Sequence, residues 1–150
     1  MKHWMAAAVV VACGCDRGGP AGGSREEHYR AFTRKFGEAI QNEKFKDAYA
    51  MTSREYQAAT SAEEMEHIFR TPAQRTGKPT AIVVDLNSVS PEDLSGKTYD
   101  GHFAQIPGVR RRARMSLTFK AEKGEFECWL NIVEEGGSDR IAVIEAGWSH

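Results

Sequence analysis

Three cysteines in 150 residues are too few for a disulfide framework, so any core here must be built by apolar packing. An excess of one charge sign is also missing. A net charge of −1 supplies no electrostatic drive toward nucleic acid or another strongly charged partner. No glycine pattern for a phosphate loop or a dinucleotide fold occurs, and no G-x-S-x-G elbow. His28, His67, His102 and His150 have no partner four residues away, and no pair of Cys-x-x-Cys motifs exists, so neither a metal nor a cofactor is expected. RRRAR, residues 110–114, is not read as a nucleic-acid motif. Strand alternation puts only Arg110, Arg112 and Arg114 on one face, with Glu135 among them.

What is present begins with VVVACGC. The run from Met5 to Ala12 is eight apolar residues, whereas a helix needs about 20 to span a bilayer. Behind Lys2 and His3 it has the layout of a secretory signal. Val10-Val11-Ala12-Cys13 resembles a bacterial lipobox, whose cysteine receives a diacylglyceryl group. That resemblance implies lipid on Cys13, with Cys15 as the alternative acceptor, and an address in the cell envelope, facing the periplasm or the exterior. Two acyl chains anchor stably where one does not. Residues 13–24 then carry five glycines and no apolar period, as a tether would. The expected organisation is a signal peptide over 1–12, a lipidated tether over 13–24 and one domain over 25–150. Cys15 and Cys128 remain able to pair in an oxidising compartment, although a free, buried Cys128 fits the flexible leader better.

Helices are expected first. Tyr29, Phe32, Phe36, Ala39 and Ile40 form one stripe between residues 25 and 41. A short helix follows from Glu43 to Met51, with Tyr56 near it. A third starts at the capping box Ser61-x-x-Glu64 and stops at Thr71-Pro72.

Strands follow. In residues 80–89, Ile82, Val84 and Leu86 share a face. Pro91 is expected to end this strand, and Ser90–Gly108 reads as a long connection with a short strand near Tyr99–Gln105, beside Asp100 and His102. Residues 109–135 alternate with period two. A turn at AEKG pairs Lys120 with Glu125, Phe119 with Phe126, Leu117 with Cys128, Met115 with Leu130 and Ala113 with Ile132. The same register sets Arg111 against Glu134 and Arg110 against Glu135. A last strand, Ile141–Trp148, pairs Ile141 with Ile132. Val143 and Glu145 are then expected on the core side, and Trp129, Val133, Ile144 and Trp148 on the outer face as an apolar interface.

Helices before a meander argue an α+β fold, with helices on a curved antiparallel sheet. FTRKFGEAIQNEKFKDAYAMTSREYQ, SAEEMEHIF and strands closing on a Trp resemble the nuclear transport factor 2-like superfamily, the cystatin-like α+β roll. The resemblance implies a pocket between sheet and helices. Two uses of it follow. One is a noncatalytic module that binds a small apolar ligand or a protein partner and forms a homodimer through the outer sheet face. The other is an isomerase or dehydratase with Glu145 as general base and His102 or Tyr56 beside it.

Overall fold

The computed structural model describes residues 22–89 and 109–147. Cys13, Cys15, Pro91, Tyr99, Asp100, His102 and Trp148 lie outside the described residues. Among the described residues, four helices, α1 (Gly22–Gln41), α2 (Phe45–Ala50), α3 (Arg54–Ala59) and α4 (Ala62–Thr76), precede four strands, β1 (Ala81–Val89), β2 (Val109–Ala121), β3 (Gly124–Glu135) and β4 (Ser138–Gly147). The strands form one antiparallel sheet in the order β1-β2-β3-β4, and the helices pack on one of its faces. This is the expected α+β class.

The stripe of α1 drives that packing. Tyr29, Phe36 and Ile40 are buried, with Phe32 and Ala39 packed against them. Burying each large apolar side chain is worth about 1.5–3 kcal/mol. Gly37 sets how closely the helix approaches the sheet, because a Cβ there would lie 2.9 Å from Leu117 Cδ1 and 3.1 Å from Ile82 Cδ1. Arg30 also donates to the Val84 carbonyl at 3.0 Å, tying α1 to β1.

The capping box of α4 forms as expected: the Ser61 hydroxyl accepts from the Glu64 N–H at 3.1 Å, and the Glu64 carboxylate accepts from the Ser61 N–H. Pro72 does not stop this helix, which runs on to Thr76. The ring is buried, so apolar contact offsets the missing backbone hydrogen bond. Residues 54–59 add a helix that the sequence reading lacked; the Ser53 hydroxyl caps it by accepting from the Tyr56 N–H.

All five β2–β3 pairs from Lys120–Glu125 to Ala113–Ile132 occur in the expected register. Beyond them Arg112 bulges out of the ladder. Arg110 then faces Glu134 and Val109 faces Glu135, one residue off the expected charge pairs, and Arg112 itself forms the ion pair with Glu134. The β3–β4 turn holds two glycines, at φ 60° and 79°, which suit a two-residue hairpin between Glu135 and Ser138.

A second bulge corrects the face assignments in β4. Ile141 pairs with Ile132 as expected, but Ala142 is an extra residue, so Asn131 pairs with Val143, Leu130 with Ile144 and Trp129 with Glu145. One added residue reverses every later side chain. Ile144 therefore packs against the core, and Glu145 stands on the outer face, where Arg114 donates to it at 3.0 Å.

Four phenylalanines join helices to sheet. Phe36 of α1 meets Phe69 of α4 edge-to-face at 5.9 Å, Phe69 meets Phe119 of β2 at 5.8 Å, and Phe119 stacks on Phe126 of β3 at 4.7 Å. Phe119 is fully buried in the middle of this series. Urea unfolding should show Phe119→Ala losing about 3–5 kcal/mol of stability. Exposed Lys120→Ala, next to it, should stay within about 0.5 kcal/mol of the parent; a loss under about 1 kcal/mol for Phe119→Ala would mean this series does not carry the core.

Candidate functional site

The Phe126 end of this series emerges at the surface in a cleft. Its floor is Ile40 at the end of α1, Phe45 at the start of α2, Phe69 of α4 and Phe126 of β3. Its rim is Gln41, Glu43, Arg70, Gln74, Lys78 and Pro79, with Ala73 on the α4 wall, and it encloses about 240 Å³. That is just under the usual range of drug-sized pockets, roughly 300–1,000 Å³, and suits a small apolar group. Gln41 Nε2 donates to the Pro79 carbonyl at 3.4 Å, linking α1 to the segment before β1.

The rim owes its shape to the end of α1. Glu43 N–H donates to the Ile40 carbonyl at 3.0 Å and Lys44 N–H to the Ala39 carbonyl at 2.8 Å, the double bond of a Schellman cap. Such a cap needs a left-handed residue, and Glu43 supplies it at φ 58°. A non-glycine residue pays about 1–2 kcal/mol for that conformation. The Glu43 carboxylate accepts from Arg70 Nη1 at 3.1 Å, and Arg70 Nε donates to Glu66 Oε1 at 2.5 Å. The guanidinium lies 4.9 Å from the centre of the Phe45 ring. Glu66 above all, with Glu43, holds the Arg70 pKa above its already high ordinary value.

A larger groove of about 560 Å³ crosses α1 and α2, but exposed Lys35, Glu38, Asn42, Lys44 and Asp47 wall it, and it has no buried aromatic floor. Among the described residues no cluster of His, Cys, Asp and Glu could hold a metal ion, and no helix is long and apolar enough to cross a membrane.

Of the residues expected to share a catalytic pocket, the two that are described, Tyr56 and Glu145, do not meet. Tyr56 is buried on α3 among the helices, whereas Glu145 is on the opposite face of the sheet, half-exposed beside Arg114. The expected outer patch also divides. Val133 is fully buried, Ile144 packs inward, and Trp129 is half-buried over Gly147, where a Cβ would lie 2.4 Å from the ring. Arg114 on β2 and Glu145 on β4 join across β3, above the row holding Trp129 and Asn131. Cys128 is free and buried, and burial pushes its thiol pKa up, which leaves it unreactive. Sequence reading did not find the cleft. Its floor residues come from four elements, and Ile40 and Phe126 showed only as apolar positions of a helix and a strand, with nothing to mark them as parts of one cleft.

Compared with known protein families and with curated proteins, the chain matches none.

Burial pushes the Tyr56 phenol up to about 12, against a smaller opposing pull from the Thr60 hydroxyl. The Tyr56 Oη makes no hydrogen bond of regular geometry. The unfolded phenol ionises near pH 10 and the folded one near 12, so stability is intact below pH 10 and is lost as pH climbs toward 12. Tyr56→Phe should remove that part of the alkaline loss and, at pH 7, match the parent or exceed it by about 1 kcal/mol. Denaturant melts of both proteins at pH 7, 10 and 11.5 check this; a less stable Tyr56→Phe at pH 7 would mean that the hydroxyl has a partner worth keeping.

Proposed function

We propose that this chain is a noncatalytic binding module of a bacterial cell envelope, anchored through lipid on Cys13, which takes a small apolar ligand in the cleft floored by Phe45, Phe69 and Phe126. The cleft carries this reading. It combines three buried aromatic rings and Ile40 below with amides and paired charges above. Such a division suits an apolar body that enters from water. The lipobox resemblance of Val10–Cys13 supports the address. The order of helices and sheet supports kinship with the nuclear transport factor 2-like rolls, whose members include noncatalytic binding modules. The isomerase or dehydratase reading called for a carboxylate in an apolar pocket. Glu145, its proposed base, faces Arg114 on the other side of the sheet from the cleft.

Fluorescence titration of the full chain with the neutral probe N-phenyl-1-naphthylamine tests the ligand site. Saturable one-to-one binding is expected, weakened at least tenfold by Ala73→Phe, which fills the cleft from α4 while the unfolding midpoint holds. Absent binding, or equal affinity in Ala73→Phe, would overturn the cleft as the ligand site. For the address, intact-mass analysis after expression in a bacterium should show an acylated parent and an unmodified Cys13→Ala that leaves the membrane fraction. Acylation retained in Cys13→Ala and lost in Cys15→Ala would move the anchor to Cys15.

A further inference from the structure

The Glu43 backbone poses a question that stability does not answer. At the left-handed position of the α1 cap glycine costs least, and Glu43 is the one non-glycine residue with positive φ among the described residues. Its carboxylate reaches Arg70, but both side chains are about half exposed, at 53% and 46%, and ion pairs of that kind add little to stability. What the glutamate does accomplish is positional. Arg70 is held from one side by Glu66 and from the other by Glu43, with its guanidinium against Phe45 at the cleft rim. Two carboxylates face its one positive charge and engage Nε and Nη1, so it forms a wall of the cleft without offering a net positive charge.

The rest of the rim is close to balance. Lys78 forms no ion pair among the described residues, but the carbonyl ends of α1 and α4 converge on the same rim and oppose its charge. Gln41 and Gln74 are neutral.

From this geometry we infer that Glu43 is a selectivity residue: as the second carboxylate on Arg70, beside Glu66, it leaves that side of the rim net negative and makes the cleft take uncharged apolar ligands in preference to anionic amphiphiles of the same shape. The inference rests on the cleft being the ligand site, and its test separates the two claims. Two probes share one body and differ by a sulfonate: N-phenyl-1-naphthylamine, and 8-anilinonaphthalene-1-sulfonate. The parent chain should bind the neutral probe at least fivefold more tightly. Glu43→Gln and Glu43→Gly should each raise affinity for the sulfonate probe about three- to tenfold, with the neutral probe within twofold. Adding Arg70→Gln should abolish the gain. Glu43→Gly should melt no lower than the parent, which separates a change of selectivity from loosened folding. If the neutral probe binds at the cleft and the ratio of the two affinities is the same in parent and both variants, the selectivity role is wrong and the ligand site stands. If the parent binds the neutral probe nowhere, or Ala73→Phe leaves its binding unchanged, the ligand site falls and the selectivity role with it.

Discussion

The contact on which the rest of the structure depends is the run of rings Phe36, Phe69, Phe119 and Phe126. It joins α1 and α4 to β2 and β3, so it fixes the helix layer against the sheet. Edge-to-face and stacked pairs add about 0.5–1.5 kcal/mol each beyond the area they bury. The same rings define the surface feature with the best claim to function. Phe69 and Phe126 belong both to this series and to the cleft floor, so the cleft is the place where the core reaches solvent. A site built this way is rigid because its floor cannot move without disturbing the core.

The position of the cleft along α1 matters for the proposed anchor. A 20-residue helix is about 30 Å long. The cleft lies at its C-terminal end, by Ile40 and Gln41, while a lipid on Cys13 would precede its N-terminal end. Along the chain, α1 then lies between the proposed anchor and the residues of the cleft. A rim of amides and paired charges around an apolar floor suits a ligand that enters from water.

Much of this fold was legible in the sequence because periodicity reports burial. The alternation of Ala113, Met115, Leu117 and Phe119 selected the β2–β3 register, since a slip of one residue would have exposed each of them. Ser61 and Glu64 marked the start of α4 through a local hydrogen-bond pattern. Failures came where one residue broke a period. Nothing in Ile141-Ala142-Val143-Ile144 marks Ala142 as a bulge, yet it turned Glu145 outward and Ile144 inward. Arg112 did the same to the charge pairs at the start of β2. Pro72 stayed within a helix because tertiary burial outweighed its local cost. The cleft was illegible for another reason: Ile40, Phe45, Phe69 and Phe126 are ordinary core positions in their own elements, and only the packing of four elements makes them a floor.

The central claim is that the surfaced end of the aromatic core is the ligand site. The most direct measurement is a set of intermolecular nuclear Overhauser effects between bound N-phenyl-1-naphthylamine and the assigned side chains of the full chain. Contacts are expected from the probe to the rings of Phe45, Phe69 and Phe126 and to Ile40. Contacts instead to Trp129 and Val143, on the far face of the sheet, would contradict it and make the outer face the binding surface.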